Sequence, residues 1–368
     1  MKLRTVAKTV FILFAVLATA SIAVQAQVLI NLSTLTVNDG VSPYYGPLIQ
    51  GKNGNFYGTA AFGGSSKYTC SGGTPGCGTI FEVTPAGKVT RLYRFCSLAN
   101  CADGVLPLGG LVQDSSGNFF GTTYGDGGGA FCVLGTSCGT VFEITPSGVL
   151  TTLYSFCSQA ECTDGGGPSA GLVQGTDGNF YGTTTIGDTL FQITPGGVLT
   201  TLYRFCSLAK CADGAYPVGA LIQGTDGNFY GTTEEGGANF TACGGTGCGT
   251  VFKITPAGVL TTLYSFCSQA NCTDGANPIA GLVQAANGNF YGTTRLGGSG
   301  GSCPSSSGGC GTVFEITPSG GFSTLYSFCS QTGCADGSSP RSPLIQGANG
   351  NLYGTTSLGG PNNDGTIF

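Results

Sequence analysis

Short runs rich in β-branched and aromatic residues, separated by turn-forming residues, recur along most of the chain. In one stretch they cover residues 110–113, 118–123, 140–145 and 149–156. The first and second runs are joined by Asn-Gly or Asp-Gly in five places: Asn53-Gly54, Asp177-Gly178, Asp226-Gly227, Asn287-Gly288 and Asn349-Gly350. A type I′ hairpin needs φ > 0 at both central residues, and these pairs tolerate it best. The third and fourth runs are joined by Thr-Pro-Ser-Gly or Thr-Pro-Ala-Gly in most copies, where proline presets φ and glycine closes the turn. Each group of four runs therefore predicts a four-stranded antiparallel meander.

The group occurs six times. The phrase Gly-Asn-Phe-Tyr-Gly-Thr begins at Gly54, Gly117, Gly178, Gly227, Gly288 and Gly350, with Phe120 for the tyrosine and Leu352 for the phenylalanine. The spacings are 63, 61, 49, 61 and 62 residues, so the third repeat is the short one. Asp-Gly-x-x-Pro precedes every copy, starting at Asp39, Asp103, Asp164, Asp213, Asp274 and Asp336. Six meanders predict an all-β fold, a six-bladed β-propeller with four antiparallel strands per blade. A β-solenoid is the alternative, but solenoid coils pair strands between repeats, whereas these hairpin turns pair them within a repeat.

The sixth copy stops at Phe368 inside its third run, while residues 28–37 stand where a fourth strand would. The N-terminal strand is thus expected to complete the last blade and remove its free edge. A truncated reading frame is the other reading of that end. Further upstream, Lys2, Arg4 and Lys8 precede an uncharged apolar run over residues 9–24, and Val24-Gln25-Ala26 fits a cleavage site. Residues 1–26 are predicted to be a signal peptide and residues 27–368 a single propeller domain. The apolar run falls short of the ~20 residues that span a bilayer, so no membrane span is expected after cleavage. The predicted location is secreted or cell-surface, with the periplasm as the other destination.

Composition narrows the chemistry. With no histidine there is no Ser-His-Asp or Cys-His triad and no imidazole base. A net charge of −5 argues against a nucleic-acid partner. The 18 cysteines fall into nearest-neighbour pairs. Five pairs follow the fourth run: Cys96/Cys101, Cys157/Cys162, Cys206/Cys211, Cys267/Cys272 and Cys329/Cys334. Four lie between the second and third runs: Cys70/Cys77, Cys132/Cys138, Cys243/Cys248 and Cys303/Cys310. The short third repeat lacks both members of the latter kind, as expected if they bond to each other. Nine local disulfides are predicted. A Cys₄ zinc site was the competing reading; the lack of Cys-x-x-Cys, the lack of histidine and an oxidising compartment weigh against it, so no metal is assigned.

The wording Gly-Leu-Val-Gln-x-x-Asp-Gly-Asn-Phe-Tyr-Gly-Thr is similar to the first hairpin of NHL-type blades. The whole unit resembles the GloVer tandem repeat of exported bacterial proteins, across residues 28–368. The resemblance implies export and repetition and supplies no activity or binding residue. The family's varied C-terminal anchors have no counterpart before Phe368, which puts surface attachment in doubt.

In a meander, the connections after the second and fourth strands leave one end of the sheet. All cysteine pairs, all Asp-Gly-x-x-Pro motifs and all length variation share that end, which makes it the candidate binding face. The residues that break the repeat there are Asp126, Asp188, Glu234, Glu235 and Arg295. They are candidates for ligand contact or, alternatively, for carboxylate acid/base chemistry. The six repeated aspartates read as turn caps; the sharper alternative is an axial acidic ring that would suit Ca²⁺. No other cofactor is expected. The favoured function is non-catalytic binding of an extracellular glycan or protein by a monomer; the alternative is an exported hydrolase or lyase acting on carbohydrate or ester substrates.

Overall fold

The computed structural model describes residues 31–43, 46–64, 69–70, 74–132, 138–300 and 309–368. The expected signal peptide, and Val28 to Ile30 of the expected closing strand, lie outside them. Ser33–Phe368 forms one compact body.

Five repeats form complete four-stranded antiparallel sheets, with the strands in chain order from one edge to the other. In repeat 2 they are Val112–Gln113, Phe119–Thr123, Thr140–Ile144 and Leu150–Ser155. The second and third strands are buried on both faces, and the fourth is only partly covered. A glycine in the second strand makes room for the phenylalanine opposite it. A Cβ on Gly121 would lie 2.6 Å from the Phe142 ring, and the same glycine–phenylalanine pair occurs as Gly182–Phe191 and Gly231–Phe252. All five sheets carry a register shift between third and fourth strands, which tightens their twist.

Packing runs from sheet to sheet. One core joins Tyr57, Ile80 and Phe95 of repeat 1 to Phe119, Phe142 and Ile144 of repeat 2. The ring at the end of each fourth strand packs on the third-strand ring of the next sheet: Phe95–Phe142 at 5.3 Å, Phe156–Phe191 at 5.1 Å, Phe205–Phe252 at 4.9 Å and Phe266–Phe314 at 5.3 Å. A second aromatic column links second strands, as in Tyr181–Phe229 at 3.9 Å. Each such ring contributes about 1.5–3 kcal/mol by burial. At the first strands the sheets converge instead on small residues. A Cβ on Gly109 would meet the Gly171 backbone at 2.4 Å, and one on Gly46 would meet Gly110 at 2.6 Å. Large residues outside and glycine inside make the successive sheets fan out, which gives the fold its propeller-like character.

The sixth repeat differs from expectation. Ile345–Gln346 pairs with Leu352–Tyr353, Ser338–Pro340 pairs with Thr356–Leu358, and Thr355 bridges to Ile367. Phe368 docks on Phe328 at 5.0 Å, in the manner of its counterparts. No fourth strand joins them among the described residues: Asn31 to Thr36 belong to no strand. The segment turns back at Thr36, whose carbonyl accepts the N–H groups of Asp39 and Gly40 at 3.0 Å each, and Leu35 packs on the repeat 1 cluster of Ala60, Phe81 and Val83. Five complete sheets thus stand in place of the six expected, and no closing strand is seen. Among the described residues, no helix is long and apolar enough to cross a membrane.

Candidate functional site

The Asp-Gly-x-x-Pro motif organises the loop end. Asp103 Oδ2 accepts the Tyr93 hydroxyl at 2.9 Å and the Ser97 N–H and hydroxyl at 2.9 and 3.0 Å, while Oδ1 accepts the Leu98 N–H at 3.2 Å. Asp164, Asp213, Asp274 and Asp336 repeat the set with their own tyrosine and serine. Burial opposes ionisation of Asp213, yet the bonds from Ser207 and Tyr203 hold its carboxyl below the ordinary range. Burial pushes the Tyr93 hydroxyl up to about 12, opposed by the Ser97 bond and helped by the Asp103 charge. Asp39 instead caps Thr36, taking its N–H at 3.1 Å and its hydroxyl at 2.6 Å. These carboxylates tie each fourth strand to the turn that leaves it. Each of these carboxylates thus caps a turn next to it in the chain, as the turn-cap reading expects. Among the described residues, the groups of three or more potential metal ligands are all cysteines.

The residue before each motif proline is held at positive φ, at 59° in Leu106, 58° in Tyr216 and 53° in Asn277. L-residues adopt this region at a cost, so the surroundings must impose it. They do so from both sides. The Asn277 N–H is bound by the Cys248 carbonyl at 2.8 Å, and its own carbonyl accepts the Arg295 N–H at 3.0 Å. Leu106 is held likewise between Cys77 and Tyr124. The backbone is thus fixed at two positions per repeat while the side chains vary: Leu106 with Tyr124, Gly167 with Thr185, Tyr216 with Glu234, Asn277 with Arg295.

Repeats 3 to 5 supply the charged part of this rim. Arg295 Nη2 lies 3.5 Å from Glu234 Oε1, and the Asn277 amide donates to the Glu234 carbonyl at 3.0 Å. Burial, then Glu234 and Asp188, keep the Glu235 carboxyl above its ordinary range. Burial also raises the Tyr216 hydroxyl, with Tyr124, Glu234, Glu235 and Asp188 each adding to the shift. The structure therefore gathers Asp188, Glu234, Glu235 and Arg295 and adds Tyr124, Tyr216 and Asn277, which the sequence reading passed over. One signal was available: Tyr124, Glu234 and Arg295 all directly follow Gly-Thr-Thr.

Asp188 also has a structural task. It stands where the other complete sheets have Gly78, Gly139, Gly249 and Gly311, and its Oδ1 accepts the Tyr216 N–H at 2.7 Å. That N–H goes to a cysteine carbonyl in repeats that own a loop pair, so Asp188 replaces the missing cysteine. Burial raises its carboxyl, opposed by the Tyr216 N–H and Arg204. Asp126 is buried at a φ of 50° in the second repeat's connection, where its carbonyl accepts the Gly139 N–H at 2.7 Å.

Eight of the predicted disulfides are present, all local: Cys70–Cys77, Cys96–Cys101, Cys132–Cys138, Cys157–Cys162, Cys206–Cys211, Cys243–Cys248, Cys267–Cys272 and Cys329–Cys334. Cys303 lies outside the described residues; Cys310, its expected partner, is buried beside Cys329 and Cys334. The two kinds of pair meet. In repeat 4 the sulfurs of Cys243, Cys248, Cys267 and Cys272 all lie within 4.8 Å of one another.

Solved structures with a similar fold include virginiamycin B lyase from Staphylococcus aureus. It is 16% identical, the alignment covers 90% of this chain and 84% of the lyase, and the TM-score is 0.55. A streptogramin B lyase matches at 16% identity over 87% of this chain and 78% of its own, with a TM-score of 0.53. A catalytically inactive form of the Staphylococcus aureus lyase with quinupristin matches at 15% over 91% and 86%, with a TM-score of 0.54. At such identities the likeness concerns the fold alone. No curated protein matches the chain. The Gloeobacter/Verrucomicrobia repeat matches residues 18–243 and 189–368, and with the six-fold phrase and the repeated sheets this places the chain in the Gloeobacter/Verrucomicrobia repeat family.

Proposed function

We propose that the mature chain is an exported, monomeric, non-catalytic six-bladed propeller that binds an extracellular glycan or protein on its disulfide-bearing loop face. The observation that carries this reading is the rim itself, where a backbone locked at two positions per repeat presents changing side chains. Tyr124, Tyr216, Asn277, Glu234 and Arg295 offer aromatic faces and planar polar groups, which suit recognition in water. Local disulfides stiffen the flanking loops and reduce the entropy lost on binding. Export is supported by the disulfides, which persist in oxidising compartments, together with the basic and apolar N-terminus. Ring closure is supported by Leu35, which packs on the repeat 1 cluster of Ala60, Phe81 and Val83.

An exported lyase or hydrolase is the second reading, favoured by the lyases of similar fold and by the raised Glu235 carboxyl. The inactive form of the Staphylococcus aureus lyase carries alanine in place of a histidine, and this chain has no histidine. That chemistry therefore does not transfer. Screening the mature chain on arrays of extracellular polysaccharides and proteins tests the proposal. Retention without product, weakened by Tyr216→Ala, supports binding; turnover abolished by Glu235→Gln supports the enzyme.

A further inference from the structure

The four cysteines of repeat 4 come from two separate connections, yet their sulfurs converge. The hairpin between third and fourth strands explains why. Cys248 stands just before Thr250–Ile254 and Cys267 just after Leu260–Ser265, and antiparallel pairing of these strands returns the chain to its starting level. Eighteen residues separate the two cysteines. The same eighteen separate Cys77 from Cys96, Cys138 from Cys157 and Cys310 from Cys329. The outer members, Cys243 and Cys272, are each removed from their neighbours by four residues. A spacing of Cys-x₄-Cys-x₁₈-Cys-x₄-Cys lies within the range of structural zinc sites.

The distances between the two pairs agree with that chemistry. Four thiolates about 2.3 Å from a central zinc stand about 3.8 Å apart along the tetrahedron's edges. Cys243 Sγ and Cys267 Sγ, from different disulfides, lie 3.8 Å apart, and no pair in the group exceeds 4.8 Å. Cys248 is fully buried and Cys267 nearly so, which limits competition from water. Cys310, Cys329 and Cys334 show the same convergence in repeat 5.

We infer that the repeat 4 cluster is a two-state centre: two stacked disulfides when oxidised, and a tetrathiolate site for Zn²⁺ once reduced. Two equivalents of a dithiol reductant break both S–S bonds, giving four thiols and two oxidised dithiols. Zinc then displaces four protons to form four Zn–S bonds. Within each pair the sulfurs must part from bonding distance to about 3.8 Å, while the two pairs already lie within reach of each other.

The test uses the full mature chain, reduced with excess dithiothreitol, exchanged into a non-coordinating phosphine without oxygen, and titrated with Co²⁺. The expected result is the absorption of tetrahedral thiolate-bound Co²⁺, abolished by an equivalent of Zn²⁺ per site. Cys243→Ser with Cys267→Ser should remove one equivalent. Cys206→Ser with Cys211→Ser, in the repeat that has a single pair, should remove none. If the reduced chain loses its β-sheet circular dichroism, Zn²⁺ should restore it. Absence of the tetrathiolate spectrum, an unchanged stoichiometry in the repeat 4 variant, or failure of Zn²⁺ to restore a reduced unfolded chain would each overturn the inference.

Discussion

Repeats 3 and 4 are built on the same four strands but differ in how they pass from the second to the third. Counted between the paired threonines, repeat 3 crosses in four residues, 185–188, and repeat 4 in sixteen, 234–249. The cores are unaffected. Phe191 and Phe252 are both fully buried, and Thr184–Thr189 and Thr233–Thr250 close the two connections with hydroxyl bonds of 2.7 and 2.9 Å. The contact that the longer connection makes to the next repeat, from the Cys248 carbonyl to the Asn277 N–H, is reproduced in the shorter one by the Asp188 side chain. The added loop and its disulfide are thus not required by the sheet. They are carried on it, on the end where the side chains of the rim vary.

The sharpest way to break this comparison is to remove the shared core from each repeat. Phe191→Ala and Phe252→Ala should each cost about 3–5 kcal/mol in denaturant unfolding. A loss confined to one repeat would mean that the scaffolds are not equivalent. Next in size is the motif aspartate. Asp164→Ala and Asp213→Ala should each cost about 2–4 kcal/mol, because several donors lose a buried charged acceptor. Asp213 is held below its ordinary value in the folded chain. Its contribution is therefore present above the ordinary carboxyl range and is lost as pH falls through the lowered value. The acid limb of a stability–pH curve should flatten in Asp213→Ala.

Smaller effects sharpen the difference between the repeats. Asp188→Ala should cost about 1–3 kcal/mol by leaving the Tyr216 N–H without its acceptor, while Asp188→Asn, which keeps an oxygen there, should cost less. Thermal unfolding of the two variants side by side checks this. Glu234→Gln should change stability by less than about 1 kcal/mol, since its ion pair with Arg295 is partly exposed, while altering binding.

The strands, hairpins and local cysteine pairs were legible because each has a short-range signal: Asn-Gly or Asp-Gly, Thr-Pro-x-Gly, and the joint loss of both loop cysteines in repeat 3; the type I′ turn was not, since only the glycine of each Asn-Gly or Asp-Gly pair takes positive φ. The turn-cap role of the repeated aspartates was legible, but their partners were not, because the tyrosine and serine that capture Asp103 lie ten and six residues upstream. Tyr216 and Asn277 were passed over because a position occupied by Ser42, Leu106, Gly167, Tyr216, Asn277 and Ser339 in turn looks like noise until the backbone is seen to hold it constant. The convergence of four cysteines needed the hairpin register, although the constant eighteen-residue separation already implied it. The closing strand is not seen in the described part, where Asn31 to Thr36 belong to no strand.

The central claim, that the long connections serve binding and not folding, is tested most directly by grafting. Residues 234–249 of repeat 4 are replaced by the four residues 185–188 of repeat 3, and the chimera is compared with the parent for unfolding midpoint and for retention on the polysaccharide and protein arrays. The account predicts a midpoint lowered by no more than the disulfide's contribution, about 2 kcal/mol, with retention of the parent's partner lost. A chimera that fails to fold, or one that keeps the partner with undiminished affinity, would contradict it.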